Sequence, residues 1–256
     1  MCGIIGVVSD ESTNEAVPVL LSGLESLEYR GYDSAGLSVA GDDGGVVKAV
    51  GEIANLKAAV AAHEGGLSGA AGIAHTRWAT HGEPTIENAH PHTDASKELY
   101  LVHNGIIENH QSLKEMLSAQ GVSCSTSTDT EVLAKLIGTH YTGDLTAAVS
   151  TALAVVRGAY GIAVMHASNP AEIVVARLGS PIVLGVGEGA HYVASDTSAL
   201  LPYTRRMVYL DDGDIATLTP TGYIVSTLRG QRRKLEPEEV ADDVVTVQKE
   251  GYEHFM

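Results

Sequence analysis

The sequence predicts an α+β fold in which mostly antiparallel sheets stack on each other and helices lie outside them. Short runs rich in β-branched residues are numerous and are joined by short turns, which is typical of antiparallel pairing. The helical patterns fall into two groups and do not alternate with every strand, which argues against a parallel α/β sheet. With 256 residues, of which 44% are hydrophobic, the chain can bury a substantial core.

The first forty residues set the pattern of alternating elements. The Ser12-x-x-Glu15 capping box and the apolar stripe after it predict a helix that ends near Gly31. A turn over residues 41–45 joins two short strands in a predicted hairpin. In the first half of the chain, strands are predicted over residues 4–8, 35–40, 46–50, 72–75 and 99–103.

Four further helices are predicted, one before the middle of the chain and three within it. A second capping box, Thr128-x-x-Glu131, marks the start of one of them, and Gly158 is predicted to close the last. These helices are predicted over residues 55–63, 109–120, 129–141 and 145–157.

A polar segment over residues 76–98 lies between two strands of the first half, and a loop of this length in a compact domain is usually functional or disordered.

The second half of the chain consists mainly of strands. The later strands are predicted over residues 161–166, 172–177, 182–186, 191–195, 207–210, 214–218 and 223–226.

The charge and composition exclude several classes of protein. Thirty-two acidic residues against sixteen basic ones give a net charge of −16, which disfavours nucleic acids and anionic membranes as partners. No apolar run reaches the roughly 18 residues of a membrane span, and the first residues lack the basic region and length of a signal peptide. We therefore expect a cytoplasmic protein. The two cysteines, Cys2 and Cys124, disfavour a disulfide scaffold and a thiolate zinc site.

Four histidines raise the question of a metal. His75, His81, His90 and His92 lie within one short stretch. Catalytic zinc normally uses a close pair such as HExxH, and that spacing does not occur here. We therefore predict no metal and no other cofactor, and interpret these histidines as hydrogen-bonding groups of the loop.

The cysteine at position 2 is a candidate nucleophile. Removal of Met1 would leave Cys2 with a thiol and an α-amine on one residue, whose ordinary pKa values are roughly 8.5 and roughly 7.8. Both groups then titrate near neutral pH, where an acid–base catalyst works best. The alternative is that a cysteine at this position is an accident of the sequence.

Other residues supply what a thiol needs to attack an amide. Asn104 and Gly105 offer a side-chain N–H and a backbone N–H for an oxyanion, although an Asn-Gly pair after a strand also commonly forms a turn. Arg77 offers a planar fork for a carboxylate. Asp129 offers a carboxylate for an ammonium group, although an aspartate near a helix start also commonly serves its own helix. Together the fork and the carboxylate suit a free amino acid.

Several long motifs together resemble one family. The chain is similar to the glutaminase domains of class II glutamine amidotransferases, and among these to the glutamine–fructose-6-phosphate aminotransferase family. The resemblance runs from Cys2 to about residue 230. The motifs are CGI at 2–4, RGYDSAG at 30–36, HTRWATHGEP at 75–84, NAHPH at 88–92, HNGIIEN at 103–109 and STDTE at 127–131.

The resemblance implies a fold and a catalytic set. The fold is the four-layer αββα sandwich of N-terminal nucleophile hydrolases, with two stacked and mostly antiparallel sheets. Cys2 is implied to be the nucleophile, with its own α-amine as base acting through a water. Asn104 and Gly105 are implied to form the oxyanion hole.

The resemblance also implies a binding set. Arg77 takes the α-carboxylate of glutamine and Asp129 its α-ammonium group, while Trp78 shields the site and gates the passage of ammonia. The remaining positions are Thr80 and His81, which line the pocket, and Arg30 and Asp33, which support it.

The implied reaction is hydrolysis of L-glutamine to L-glutamate and ammonia. Residues 1–235 would form the glutaminase domain, and residues 236–256 a connector toward a sugar-phosphate isomerase domain in the same chain, absent here. In the full-length enzyme, a homo-oligomer, the ammonia would convert fructose 6-phosphate to glucosamine 6-phosphate. Three alternatives stay open: a class II amidotransferase with another acceptor, a module that senses glutamine without hydrolysing it, and a tail folded onto its own domain.

Overall fold

A computed structural model describes residues 2–10, 16–41, 43–78 and 82–241. The helices within them are α1 (Ala16–Leu27), α2 (Ile53–Ala61), α3 (His110–Ala119), α4 (Asp129–His140) and α5 (Leu145–Leu153). The strands within them are β1 (Gly3–Ser9), β2 (Ser34–Ala40), β3 (Gly45–Val50), β4 (Ala71–Arg77), β5 (His92–Thr93), β6 (Leu99–Ile107), β7 (Gly158–His166), β8 (Asn169–Leu178), β9 (Val183–Val186), β10 (Ala190–Ala194), β11 (Arg206–Tyr209), β12 (Asp214–Thr219), β13 (Gly222–Thr227), β14 (Arg232–Arg233) and β15 (Glu238–Glu239).

The strands form two sheets in which all neighbouring strands are antiparallel. The first sheet has the order β15-β11-β9-β10-β1-β4-β2-β3. The second has the order β14-β13-β12-β8-β7-β6-β5. Strand β1 is internal to its sheet, between β10 and β4. The chain's first strand is therefore held by hydrogen bonds along both of its edges.

Three apolar layers hold the sheets and helices together. Ile4 and Val8 of β1 point into the layer between the sheets, whereas Ile5 and Val7 point to the layer beneath α1. This alternation follows from the period of two along a strand and explains why every residue of β1 is buried. Helices α3, α4 and α5 close the third layer against the second sheet. The result is the predicted four-layer αββα sandwich.

Two strands next to the candidate site are longer than the sequence pattern predicts. Strand β4 continues to Arg77, and β6 continues to Ile107. The predicted loop over residues 76–98 also contains β5, which pairs with β6. The end of β4 and the second half of β6 therefore present site residues from regular, hydrogen-bonded backbone.

Two predictions about helix ends were wrong in part. Helix α5 ends at Leu153, and Gly158, with a φ of 121°, is the first residue of β7 and does not cap the helix. Thr128 does cap α4 by accepting from the backbone N–H of Glu131 at 3.3 Å. The reciprocal half of that capping box does not form, because the Glu131 carboxylate accepts from the chain before the helix. The Ser12-x-x-Glu15 box lies outside the described residues.

Part of the predicted connector lies on the domain. Glu238–Glu239 pair with Arg206 and Met207 at the edge of the first sheet, and Val240 packs against the layer beneath α1. Residues 242–256 lie outside the described part of the chain, so the boundary at residue 235 stays a prediction. None of the helices in the described ranges is long and apolar enough to cross a membrane.

Candidate active site

Residues from several elements meet at a cavity that is open to solvent. Cys2 immediately precedes β1, Arg77 ends β4 and Gly105 lies in β6. These strands come from different sheets, so the cavity opens where the sandwich layers meet. Its lining includes Cys2, Arg77, Trp78, Gly105, Thr128 and Asp129.

The Cys2 thiol is held by the backbone of Trp78. Its Sγ accepts from the Trp78 N–H at 3.2 Å and lies 3.6 Å from the Trp78 carbonyl oxygen. Burial raises the pKa of the Cys2 thiol, while the Trp78 N–H and the guanidinium groups of Arg77 and Arg30 act in the opposite direction. Burial outweighs these groups, so the pKa of the thiol lies above its ordinary value and the thiolate needs a base that takes its proton.

The backbone of Cys2 is anchored by two further side chains. Its carbonyl oxygen accepts from Arg30 Nε at 3.1 Å and from Asn104 Nδ2 at 3.1 Å. Arg30 is buried and in turn contacts Asp196 Oδ2 at 3.0 Å, to which the Tyr29 hydroxyl also donates at 2.9 Å. Arg30 therefore contacts the backbone of Cys2 directly, and its supporting role in the site stays a prediction.

Asp196 is a residue that the sequence analysis missed. It follows β10, the strand beside β1, and its Oδ1 also accepts from the Ser198 N–H at 3.0 Å. Burial raises the pKa of Asp196, but the Ser198 and Tyr29 hydrogen bonds and the Arg30 charge outweigh it and hold the pKa below its usual value. No local pattern marks Asp196, because its partner Arg30 is far away in sequence.

Asn104 and Gly105 do not form a turn. They lie inside β6, opposite Gly161 and Tyr160 of β7. Gly105 has a φ of 133°, and a Cβ placed there would lie 2.0 Å from the Ala159 carbonyl oxygen. Gly105 also lines the cavity, and the Asn104 side chain is buried beside Cys2.

Arg77 and Asp129, the two residues predicted to form a charged clamp, both line the cavity. Arg77 donates to the carbonyl oxygens of Glu83 at 3.2 Å and Gly82 at 3.3 Å. Burial lowers the pKa of Arg77, and the neighbouring charges of Cys2, Asp33 and Asp129 raise it. Asp33 is held beside Arg77 because its N–H donates to the Arg77 carbonyl oxygen at 3.1 Å.

Asp129 is the first residue of α4, yet it contacts the sheet. Its Oδ2 accepts from the Ile107 N–H at 2.7 Å, and its Oδ1 accepts from the Thr130 hydroxyl at 3.3 Å. Thr128 caps the helix instead. The carboxylate therefore joins α4 to β6 at the cavity.

Trp78 is half exposed at the cavity mouth. Its side chain is 44% exposed and meets the Tyr32 ring edge to face, with 5.5 Å between ring centroids. Thr80 and His81, also predicted to line the pocket, lie outside the described residues.

The other clustered histidines form a buried cluster of tilted and edge-on rings beside the cavity. The ring centroids of His75 and His90 are 4.0 Å apart, and those of His90 and His92 are 4.9 Å apart. Burial lowers the pKa of His75 and of His92 to about 3 and that of His90 well below its usual value, so all are neutral near pH 7. Within the described ranges, no group of three or more His, Cys, Asp or Glu side chains is arranged to hold a metal ion.

Comparison with known proteins agrees with this geometry. The family model described as glutamine amidotransferase domain matches residues 62–251. The chain is 49% identical over its whole length to the glutamine–fructose-6-phosphate aminotransferase [isomerizing] of Thermus thermophilus, and covers 42% of that protein. It is 45% identical, again over its whole length, to the protein of the same name from Aquifex aeolicus, and covers 43% of it.

Solved structures share the fold. A glutamine phosphoribosylpyrophosphate amidotransferase from B. subtilis superposes with a TM-score of 0.75 and 29% identity over 89% of this chain and 49% of its own. The chain spans less than half the length of the curated relatives it matches. Because the family model matches most of its length, the chain belongs to the family of glutamine amidotransferase domains.

Proposed function

We propose that this domain hydrolyses the side-chain amide of L-glutamine, with Cys2 as the nucleophile once Met1 has been removed. The observation that carries the proposal is the position of the Cys2 sulfur, which lines one cavity with the Arg77 guanidinium and the Asp129 carboxylate. A cation and an anion beside a thiol match the α-carboxylate, α-ammonium and amide of free glutamine.

The proposed reaction has two stages. The Cys2 thiolate attacks the δ-carbon of glutamine, the carbonyl π electrons move to oxygen, and the α-amine of Cys2 takes the thiol proton through a water. The tetrahedral adduct collapses as the C–N bond breaks and the nitrogen leaves as ammonia with that proton. Water then attacks the γ-glutamyl thioester, releasing L-glutamate and restoring the thiol.

The proposed oxyanion donors are the Asn104 side chain and the Gly105 backbone N–H. Asn104 Nδ2 already donates to the Cys2 carbonyl oxygen, so its NH₂ group lies beside the nucleophile. Loss of one such donor typically costs on the order of a hundred- to a thousandfold in rate. In the same proposal Trp78, Thr80 and His81 cover the bound substrate, and Arg30 and Asp33 hold Cys2 and Arg77 in place.

For the longer protein, we propose that residues 1–235 form the glutaminase domain and residues 236–256 lead to a sugar-phosphate isomerase domain. There the ammonia would convert fructose 6-phosphate to glucosamine 6-phosphate, in a cytoplasmic homo-oligomer. The names and lengths of the relatives from Thermus thermophilus and Aquifex aeolicus support this extension.

The test uses a diazoketone analogue of glutamine and intact mass measurement. We expect a mass that lacks Met1, followed by one covalent adduct that peptide mapping places on Cys2. The second cysteine, Cys124, provides the control, because Cys124→Ala keeps the adduct and the glutaminase activity whereas Cys2→Ala loses both. An adduct on Cys124, or glutamate release by Cys2→Ala, would contradict the proposal. Binding of glutamine without turnover by the trimmed protein would favour a sensing module.

A further inference from the structure

We infer that His75 is a positioning residue for the oxyanion donor, because its Nε2–H holds the oxygen end of the Asn104 carboxamide and so turns the NH₂ end toward Cys2. This inference rests on the proposed function of Asn104. It gives a role to a histidine that neither the nucleophile nor the substrate clamp requires.

The contacts of His75 indicate which ring nitrogen carries the hydrogen. His75 lies in β4 and is fully buried, and its Nε2 is 3.1 Å from Asn104 Oδ1 and 3.2 Å from the His103 carbonyl oxygen. Both neighbours are acceptors. A bare Nε2 would face two oxygens with no hydrogen between them, so this nitrogen must be the donor.

The other ring nitrogen agrees with this tautomer. His75 Nδ1 is buried and has no hydrogen-bond partner among the described residues. A proton placed there would be a buried donor without an acceptor, which typically costs about 1–3 kcal/mol. Burial lowers the pKa of His75 to about 3, so the ring is neutral and carries its one hydrogen on Nε2 across the physiological range.

The Asn104 carboxamide is therefore held at both ends. Its oxygen accepts from His75, and its nitrogen donates to the Cys2 carbonyl oxygen at 3.1 Å. Without His75 the buried oxygen would lack this donor and the carboxamide would keep one restraint. A hydrogen bond accepted by an amide oxygen also strengthens the N–H groups of that amide as donors.

The buried histidine cluster restricts the plane of the His75 ring, since the His75 and His90 rings contact each other at a tilt of 41°. His90 packs on it with 4.0 Å between ring centroids, and the His90 Nδ1 accepts from the His103 N–H at 3.4 Å. The same residue, His103, thus supplies a backbone oxygen to His75 and a backbone N–H to His90.

Three substitutions separate the hydrogen bond from the packing. His75→Phe keeps a ring and removes the donor. His75→Gln places an amide nitrogen as many bonds from Cβ as Nε2, whereas His75→Asn places one at the shorter reach of Nδ1. All three are assayed for glutaminase kcat and KM, and thermal denaturation verifies that each is folded.

We expect His75→Phe to lower kcat roughly ten- to a hundredfold, somewhat less than the full loss of an oxyanion donor, with KM for glutamine changed by less than about threefold. His75→Gln should recover most of the lost kcat and His75→Asn should not. In an Asn104→Ala background, His75→Phe should cause no further loss, because the group that it positions is already gone.

Other results would overturn the inference. These are a wild-type kcat for His75→Phe, equal losses for the Gln and Asn variants, or losses that multiply with Asn104→Ala. If a variant does not fold, ¹⁵N NMR of the unaltered protein decides, since a protonated Nδ1 or a charged His75 ring at pH 6 contradicts the tautomer. If one of these contradicting results is found while the wild type turns over glutamine and Cys2→Ala is inactive, the proposed function stands and this inference alone fails.

Discussion

Asp129 combines an observed structural contact with a proposed role in binding. Its Oδ2 is engaged by the Ile107 N–H, which fixes the carboxylate against β6 and keeps it at the cavity. A carboxylate held in this way needs little reorganisation to meet an ammonium group. Its charge can therefore be tested separately from its structural hydrogen bond.

Asp129→Asn should raise the KM for glutamine far more than it changes kcat. Asparagine retains an oxygen for the Ile107 N–H but removes the negative charge, and a hydrogen bond to a charged group is worth about 1.5–3 kcal/mol, or roughly ten- to a hundredfold in binding. Steady-state kinetics measure the effect. The control is Asp144→Asn, since Asp144 caps α5 through the Ala147 N–H and does not line the cavity. An unchanged KM for Asp129→Asn would contradict the clamp.

Individual site residues could be predicted where they lie in contiguous motifs. Cys2, Arg77, Asn104 and Asp129 all stand in such segments, and the structure brings them together. Asp196 could not be found in this way, since its contact with Arg30 depends on the pairing of β1 with β10. The contact of His75 with Asn104 joins two sheets and likewise has no local sequence signal.

Strand β6 carries both the predicted oxyanion donors and a conformational constraint. An Asn-Gly pair is typical of a turn, which is why the sequence pattern ended the strand at residue 103. Pairing with β7 overrides that preference and carries the strand through both residues. Local propensity could predict that the strand exists but not where it ends, because the deciding hydrogen bonds come from a strand more than fifty residues later.

Gly105→Ala should destabilise the protein and abolish glutaminase activity. The new Cβ would meet the Ala159 carbonyl oxygen at 2.0 Å and would force the backbone of β6 or β7 to shift. Gly121→Ala is the matched control, because Gly121 also has a positive φ, 81°, but nothing lies within 4 Å of its Cβ position.

The two glycine variants are compared by denaturant unfolding. The control carries only the conformational cost, about 1–2 kcal/mol, and the clash at Gly105 adds about 1–3 kcal/mol. Equal losses of stability in the two variants would show that the close approach of β7 does not constrain β6.

The start of helix α4 depends on a buried carboxylate. Glu131 is 4% exposed, and it accepts from the Ser125 N–H at 3.0 Å and the Thr126 N–H at 2.6 Å. Burial acts to raise the pKa of Glu131. These hydrogen bonds and the Lys135 charge outweigh burial and lower the pKa to about 2. The segment that leads into Thr128 and Asp129 is thus tied to the first turn of the helix.

Glu131→Gln should remove part of the acid sensitivity of the fold. The folded pKa of Glu131 lies below its unfolded value, so the carboxylate stabilises the protein above about pH 4.5 and that stabilisation is lost as the pH falls toward about 2. Unfolding free energies measured across this range should converge for wild type and Glu131→Gln. The exposed Glu115→Gln on α3 controls for loss of one negative charge. A gap between wild type and Glu131→Gln that does not change with pH would refute the linkage.

For the molecule as a whole, the sequence predicts the class of fold but not the order of strands. Continuous apolar runs reveal strands with two buried faces, as in β1, and grouped helices indicate outer layers. Which strands become neighbours depends on contacts between distant parts of the chain. The short strands β14 and β15 have no periodicity of their own and form because an adjacent edge is available.

The layer between the sheets should dominate the stability of the domain. Ile4 is fully buried in this layer, and truncation of such a side chain typically costs about 2–5 kcal/mol. Ile4→Ala should therefore lower the free energy of unfolding by about that amount in a denaturant titration. Ile224→Ala on β13 is the control, because Ile224 is 50% exposed. Similar losses for both variants would mean that the inter-sheet layer contributes no more than the surface.

The position of β1 also sets the order in which the site can be made. A ribosome synthesises Cys2 long before residues 190–196, yet one of the two neighbours of β1 is Ala190–Ala194, and the partner of Arg30 is Asp196. Domains fold as units during translation, once enough of the chain has emerged. A nascent chain that stops before residue 190 therefore has the Cys2 thiol but neither the second strand edge of β1 nor the ion pair of Arg30 with Asp196. Translation products broken off before that point carry an unassembled cysteine, and the earliest atoms of the site are among the last to be locked in place.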